Sequence, residues 1–231
     1  MPVIQLQGVH RVYDHSAVPV HALSDVTLDI DAGEFTAIVG PSGSGKTTLL
    51  NIIGGLDQPT EGTITLADTD LATLSRGERV EFRLQHIGFV FQAYNLIPVL
   101  TAEENVEFIL LLQGRPRGER RRVVTDLLEA VGLADKAAST VNQLSGGQQQ
   151  RVAVARALAS GPAFVLADEP TANLDSGSAS MLLDIMERLN VERHTTFVFS
   201  THDPRVVDRA RRVVRLVDGA VAEDVVRPSP S

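Results

Sequence analysis

The first part of the chain alternates apolar and polar residues with a period of two. Ile4 and Leu6 are separated by glutamine, and Val26, Leu28 and Ile30 are separated by threonine and aspartate. Successive side chains of a strand point to opposite faces, so this period is typical of a strand with one buried and one exposed face. Such strands are mostly antiparallel. The pattern therefore predicts a small antiparallel sheet near the N-terminus.

Shorter runs that are apolar at nearly every position occur at residues 35–39, 87–91, 164–168 and 196–200. A strand that is covered on both faces has no polar face, so continuous apolar runs of this length indicate buried parallel strands. Helical patterns lie between these runs. Parallel strands that alternate with helices predict an α/β fold.

The longest helical region is predicted from residue 93 to about residue 159. Ser75, Thr101 and Ser145 each begin a capping-box pattern, in which Ser or Thr is followed three residues later by Glu or Gln. Gly114 and Gly132 are expected to end two of the helices. A later helix is predicted by apolar spacing, with both of its methionines in the core, from Met181, Leu182, Ile185, Met186 and Leu189.

A phosphate-binding loop is predicted at residues 40–48, which match G-x-x-x-x-G-K-[ST] between an apolar run and a potential helix. Its glycines let successive N–H groups face one anion, and a helix N-terminus adds partial positive charge. Lys46 is expected to reach the β- and γ-phosphates, and the Thr47 hydroxyl to bind Mg²⁺. A Gly/Ser-rich turn that matches by chance is the alternative, which the strand–loop–helix context disfavours. The residues expected to contact the nucleotide are Gly40, Pro41, Ser42, Gly43, Ser44, Gly45, Lys46, Thr47 and Thr48.

Composition limits the other possibilities. Of 21 Lys+Arg residues only Lys46 and Lys136 are lysines. A chain that otherwise uses arginine for positive charge thus has a compact ammonium group at Lys46 of the predicted phosphate-binding loop, where a planar guanidinium would not fit. The formal net charge of −8 disfavours nucleic acid as a partner. No cysteine is present, which excludes disulfides and thiolate metal sites. The first residues show no signal-peptide pattern, and no apolar run is long enough to span a membrane. Residues 227–231, at the other end of the chain, are expected to fray.

Two further groups of residues carry candidate chemistry. Asp168 and Glu169 end an apolar run, where a protein with a phosphate-binding loop carries its Mg²⁺ ligand and the base for the attacking water. Ser145, Gly146, Gly147 and Gln148 combine a capping box with accessible first-turn N–H groups, which predicts a second anion site. Taken alone, this stretch is also compatible with a simple capped helix start.

Residues 144–148 resemble the signature motif of ATP-binding-cassette (ABC) ATPases, and the resemblance covers the chain with its motifs in the family's order. It implies Walker A at residues 40–47, Walker B at residues 164–169, and a Mg²⁺ ligand at Asp168. Catalytic roles are implied for Lys46, Glu169 and the switch histidine, His202. The resemblance also implies that Tyr13 stacks on adenine, that Gln92 of the Q-loop contacts nucleotide and metal, and that Asp175 of the D-loop contacts nucleotide.

The resemblance further implies a P-loop NTPase (RecA-like) core with a flanking antiparallel β-subdomain and an inserted helical signature subdomain. The core is expected at residues 1–92 and 160–231, and the helical subdomain at residues 93–159, within a single domain of residues 1–231. Two copies are expected to pack head to tail around ATP and Mg²⁺. Residues 54–60, 87–92 and 95–98 are most similar to the subgroup that contains the lipoprotein-releasing and macrolide-export ATPases and the related cell-division ATPase.

The resemblance implies an ATPase that powers a membrane transporter, for export or for lipid or lipoprotein extraction, through ATP-driven closure of the dimer. Its expected partner is a transmembrane permease, which would place the chain on the cytoplasmic face of the cell membrane. The alternative function is an ATP switch that signals through a membrane partner without transport, as in cell division. Two local alternatives also stay open. Tyr13 would either stack on the base or pack against the small sheet. An apolar set would either dock the partner or cover the helical subdomain's own core, and it consists of Tyr94, Leu96, Ile97, Val99 and Leu100.

Overall fold

The computed structural model describes residues 1–14 and 19–227 and confirms the α/β class. The strands are β1 (Pro2–Tyr13), β2 (Val20–Asp31), β3 (Phe35–Val39), β4 (Glu61–Leu66), β5 (Thr69–Asp70), β6 (Ile87–Val90), β7 (Phe164–Asp168), β8 (Thr196–Ser200), β9 (Arg212–Val217) and β10 (Ala220–Val226). The helices are α1 (Lys46–Ile53), α2 (Arg76–His86), α3 (Ala102–Leu112), α4 (Arg117–Ala130), α5 (Gly146–Ala159), α6 (Ser176–Arg193) and α7 (Pro204–Arg209).

The strands form two sheets. The antiparallel sheet predicted near the N-terminus is confirmed, with the order β2-β1-β4-β5 and alternating buried and exposed residues in β1 and β2. The second sheet has the order β10-β9-β3-β8-β7-β6, and its strands are parallel except for the β9–β10 hairpin. Since β3, β7 and β8 are neighbours, the residues that follow them lie at one edge of the sheet.

The parallel strands are buried on both faces, as their continuous apolar runs predict. In β8, Phe197 and Phe199 face the hydrophobic cluster that contains α3, α4, α5 and α6, while Val198 faces the cluster beneath the antiparallel sheet. The ring centroids of Phe35 and Phe199 lie 4.6 Å apart. The central strands therefore position the loops at their carboxyl ends on a rigid support.

Capping signals predicted the helix starts correctly. Ser75, Thr101 and Ser145 each cap a helix through a complete capping box, and Asp203 caps α7 with Pro204 in its first turn. These contacts form within four residues of the chain, so they need no tertiary information. No helix in the described ranges has the length and apolar character needed to cross a membrane.

Three expectations need correction. Met181 is not in the core: its side chain is 51% exposed, whereas Met186 is fully buried. Residues 93–101 are not helical, because Tyr94 and Asn95 have positive φ angles and the first helix of the region begins at Ala102. Arg227 is held by hydrogen bonds to the carbonyls of Arg211 and Val207, while the other residues expected to fray, 228–231, lie outside the described residues.

Candidate active site

A cleft of about 760 Å³ lies where β3, β6, β7 and β8 end. The carboxyl ends of parallel strands meet at one edge of a sheet, which is the usual place for a ligand in α/β folds. This edge brings together residues 40–48 of the predicted phosphate-binding loop and five other predicted site residues: Tyr13, Gln92, Asp168, Glu169 and His202.

The loop itself is held in a tight conformation. Gly45 precedes α1 with a φ angle of 99°, and a Cβ atom there would lie 2.4 Å from the carbonyl oxygen of Ala22, so only glycine fits. The Lys46 ammonium donates hydrogen bonds to the carbonyl oxygens of Gly40 and Pro41, both at 2.9 Å. The lysine thus spans the loop and contributes its charge to the lining of the cleft.

The donor set of the cleft fits a magnesium nucleotide. The hydroxyl of Ser44 is buried and has no hydrogen-bond partner among the described residues, although it lines the cleft. Thr47 and Asp168 also line the cleft, and their hydroxyl and carboxylate oxygens are of the ligand type that Mg²⁺ prefers. No cluster of three or more His, Cys, Asp or Glu side chains that could hold a metal occurs in the described part of the chain. A cleft that offers Thr47 and Asp168 suits Mg²⁺ that is bound partly by substrate phosphates.

Burial at the strand end changes the acidity of Asp168. Loss of hydration is the largest influence and raises the pKa of this carboxyl group, and the adjacent charge of Glu169 raises it further. The Lys46 ammonium acts in the opposite direction. A cation placed beside Asp168 would favour its ionised form for the same electrostatic reason.

Glu169 is positioned by an unusual backbone conformation. Its φ angle is 46°, which is uncommon for a residue other than glycine, and its amide donates to the carbonyl oxygen of Ser200 at 2.9 Å. The Thr201 hydroxyl donates to Glu169 Oε2 at 3.1 Å, and His202 Nδ1 lies 2.6 Å from Oε1. Strained residues of this kind persist where the surroundings determine them, often at active sites. The carboxylate is thereby aimed into the cleft.

A second network next to Glu169 centres on Asp203, which caps α7. Asp203 accepts a hydrogen bond from the buried Thr171 hydroxyl at 2.6 Å and a forked pair from the Arg205 guanidinium. The hydrogen bonds from Arg205 are the main reason that the pKa of Asp203 falls to about 2. The Asp203 amide donates to Thr201, the residue whose hydroxyl contacts Glu169. The network therefore ties the loop after β7 to the loop after β8.

Tyr13 lines the cleft and is also anchored to its own sheet. Its hydroxyl donates to Asp57 at 2.8 Å, and the Arg11 guanidinium lies 4.4 Å from the ring centroid. Tyr13 pairs with Val20 across the β1–β2 ladder. Val20 and the next two residues, His21 and Ala22, also line the cleft, and sequence reasoning missed them. The available signal was the strand pairing, since the antiparallel neighbour of Tyr13 must lie beside it.

The remaining predicted site residues do not line this cleft: Ser145, Gly146, Gly147, Gln148 and Asp175. Ser145 and Gln148 form the capping box of α5, and Asp175 caps α6 by accepting from the Ser178 amide at 2.9 Å. A Cβ atom on Gly147 would lie 2.8 Å from the Ser178 hydroxyl, so these two helix starts pack closely. Within the described residues, one chain keeps its two predicted anion sites apart.

Comparison with known proteins gives consistent relatives. The chain is 47% identical over 223 residues to the "Macrolide export ATP-binding/permease protein MacB" of Nitrobacter winogradskyi, covering 96% of this chain and 34% of that protein. It is 46% identical over 219 residues to an "Uncharacterized ABC transporter ATP-binding protein" of Thermotoga maritima, covering 95% and 93%. The chain thus spans about a third of the length of the macrolide-export relatives.

Solved structures agree with these relatives. The ATP-binding cassette MJ0796, in a dimeric post-hydrolysis state bound to ADP and Pi, superimposes with a TM-score of 0.88 at 42% identity, covering 98% of this chain and 100% of that one. A second dimeric structure of MJ0796 matches with the same TM-score at 43% identity, with the same coverage of both chains. The sequence profile described as "ABC transporter" matches residues 23–172, more than half of the chain. The chain therefore belongs to the ABC transporter family and is an ATP-binding ATPase of that family.

Proposed function

We propose that this chain supplies a membrane transporter of the export type with energy from ATP hydrolysis, and that it acts as a dimer on the cytoplasmic face of the cell membrane. The observation that carries the proposal is the asymmetry of the site. The cleft holds the phosphate-binding loop and Glu169, while the helix start at Ser145 opens elsewhere. A nucleotide in the cleft can contact both predicted anion sites only if a second copy of the chain presents its residues 145–148 to that cleft.

The residues of the cleft have distinct roles in this proposal. Lys46 and the N–H groups of the loop bind the β- and γ-phosphates. Thr47, Gln92 and Asp168 would hold Mg²⁺, which neutralises phosphate charge when bound. Glu169 accepts the proton of the attacking water, and its carboxylate is oriented by Thr201 and His202 at the distances given above. His202, whose side chain is 77% exposed, is free to turn towards the γ-phosphate.

The second copy is proposed to contribute Ser145, Gly146, Gly147 and Gln148 to the same nucleotide, with Asp175 nearby. Two-fold packing of identical chains makes each contact twice, so both sites form together. Both solved structures of MJ0796 are dimeric, which supports a dimer of this chain. We also propose the division into a core of residues 1–92 and 160–231 and a helical subdomain of residues 93–159, because α3, α4 and α5 pack on one another.

The permease is proposed to dock in an apolar groove of about 470 Å³ beside α3. Leu56 and Phe108, which line it, are 51% and 38% exposed, so apolar surface remains available to a partner. Relatives in which the ATP-binding and permease parts share one chain support a membrane permease as the occupant. The groove ends at Phe91, next to Gln92 of the ATP cleft.

The apolar set predicted from sequence divides between the two alternatives. Leu96 packs against the core, and Tyr94 is half-buried with its hydroxyl directed at the Asn173 carbonyl. Ile97 lines the groove, Val99 is 82% exposed and Leu100 is half-buried. Tyr94 and Leu96 therefore have internal roles, and groove residues make better probes of docking.

Hydrolysis and dimer formation are tested together with Glu169→Gln. An amide keeps the size of the side chain but cannot accept the proton of water, so turnover should fall about 100-fold or more while ATP stays bound. Sedimentation velocity with Mg-ATP should show a dimer of the variant that disappears without nucleotide. Glu192→Gln, an exposed change on α6, is the control and should keep wild-type turnover. Wild-type turnover in Glu169→Gln would refute the assigned base.

Docking is tested with Leu56→Glu and Phe108→Glu, which place charge in the groove. Val191→Glu is the control, since Val191 is 59% exposed on α6, outside the groove. We expect the groove variants to keep basal ATPase activity but to lose co-purification with a multispan permease from detergent-solubilised membranes. Retention of the permease by both groove variants would exclude the groove as the docking site.

A further inference from the structure

Residues 91–95, here called the 91–95 strap, join the apolar groove to the ATP cleft. Phe91 and Asn95 line the groove, whereas Gln92 lines the cleft. The strap follows β6 but is not part of the sheet, and its last two residues have φ angles of 59° and 52°. Both values lie in the left-handed region, which is costly for residues other than glycine. Other parts of the protein must therefore stabilise this conformation.

Side chains from distant elements bind the carbonyl groups of the strap. Arg156 of α5 donates to the carbonyls of Tyr94, at 2.8 Å, and Asn95. Asn173 donates to the carbonyl of Gln92 at 3.0 Å. A segment without strand partners must satisfy its backbone groups in some other way. Here it does so through α5 and through the loop that follows Glu169.

Gln150 makes the connection that matters most. It is fully buried in the second turn of α5, and its Nε2 donates to the Pro170 carbonyl at 2.8 Å and to the Phe91 carbonyl at 3.4 Å. Pro170 follows Glu169 directly, and Phe91 precedes Gln92. One amide group therefore touches the backbone next to Glu169 and the backbone next to Gln92, and both of these residues line the cleft.

We propose that Gln150 is a positioning residue, which holds the loop of Glu169 and the 91–95 strap in fixed positions relative to each other. The conformational order of the strap then determines the rate of ATP hydrolysis but not the affinity for nucleotide. The inference rests on the proposed roles of Gln92 and Glu169. Gln150 itself does not line the cleft, so its loss removes no contact to nucleotide. When this buried donor is removed, the Pro170 carbonyl loses its hydrogen bond from Gln150, and the Phe91 carbonyl keeps only the one from the Tyr94 amide at 3.1 Å.

The variant Gln150→Met keeps the length and volume of the side chain but removes the donor. Gln113→Met is a matched control, because Gln113 Nε2 also donates to carbonyls of other elements, those of Leu84 and Ser160, far from the cleft. The Oε1 atoms of both glutamines are buried without a partner among the described residues. Gln113 is half-buried, whereas Gln150 is fully buried. Gln113→Met therefore controls for the loss of a donating amide away from the strap, not for an equal loss of stability.

Hydrogen exchange of peptides that cover residues 92–97, the Kd for Mg-ATP, and kcat are measured for each variant. In Gln150→Met we expect about tenfold faster exchange of the strap and about tenfold lower kcat, with Kd within about threefold of wild type. Gln113→Met should leave strap exchange and kcat unchanged. Asn173→Ala, an exposed change that frees only the Gln92 carbonyl, should speed strap exchange in the same direction even if Gln150→Met fails to fold.

The proposal would be overturned if the strap exchange and kcat of Gln150→Met were equal to those of Gln113→Met. If Gln150→Met does not fold, unchanged strap exchange in Asn173→Ala would overturn it. The Glu169→Gln experiment separates this result from the proposed function. Wild-type hydrolysis that is abolished by Glu169→Gln supports the assigned base whatever Gln150→Met shows. Exchange of the strap, in turn, reports on Gln150 without relying on turnover.

Discussion

Asp203 should be one of the most important charged residues for stability, and Asp203→Asn tests this. Its side chain is 11% exposed and binds the Arg205 guanidinium, which is the main cause of a pKa of about 2 in place of the ordinary 3.8. A difference of roughly two pKa units corresponds to about 2 kcal/mol of folding free energy. Asparagine keeps an oxygen that can accept from the Arg205 amide, so the helix cap is retained and the charge is lost.

The sign of the pH dependence follows from the lowered pKa. The ionised carboxylate stabilises the folded chain, so its contribution is fully present above pH 4 and is lost as pH falls through about 2. At pH 7 the variant should lose about 2 kcal/mol, which lowers the Tm by about 4–8 °C for a chain of this size. Between pH 4 and the acid limit of the folded state, the difference from wild type should shrink.

Urea titrations at pH 7, 4 and 3 measure the free energy of unfolding of both proteins. Asp184→Asn is the control, since Asp184 also pairs with an arginine, Arg209, but its side chain is 64% exposed. Exposed ion pairs contribute about 0–1 kcal/mol, so the control should be nearly neutral. A loss below about 0.5 kcal/mol in Asp203→Asn at pH 7, or a loss that grows as pH falls, would refute the reasoning.

Two further predictions concern the nucleotide. Lys46→Ala should abolish ATP binding and hydrolysis, because it removes the charge that faces the phosphates. Lys136→Ala, the same change at the only other lysine, is the control and should leave both intact. A fluorescent ATP analogue measures the affinity, and tight binding by Lys46→Ala would contradict the loop assignment. Tyr13→Ala should weaken ATP binding by about 1–3 kcal/mol. Tyr13→Phe, which loses only the hydrogen bond to Asp57, should keep most of the affinity. Unchanged binding by Tyr13→Ala would show that the ring only packs on its sheet.

Sequence reasoning worked best where the determining contacts are local. The capping boxes at Ser75, Thr101 and Ser145 are formed by residues three positions apart, and all of them are present. Met181 shows the limit of periodicity. It lies one turn before Ile185, yet its side chain is 51% exposed whereas Ile185 is buried. Helical spacing gives the direction of a face but not the width of the surface that buries it.

Most residues that line the cleft were predicted from the sequence, but the contacts between them were not. Gln150 was outside every predicted site, because nothing local indicates that its amide would lie beside Pro170 and Phe91. That meeting depends on β6 and β7 being neighbours at the sheet edge, with α5 packed against them. Tertiary hydrogen bonds of this kind join residues 20 and 59 positions apart and leave no periodic signal.

The separation of the two anion sites has the same origin. The loop at residues 40–48 lies at the end of β3, so the sheet places it at the common edge, whereas Ser145 begins a helix that packs on the side of the sheet. Each motif can be recognised from its own few residues, but their distance follows from the strand order β3-β8-β7-β6. The two predicted anion sites can act on one nucleotide only if a second copy of the chain supplies one of them. The proposed dimer is thus a consequence of this topology.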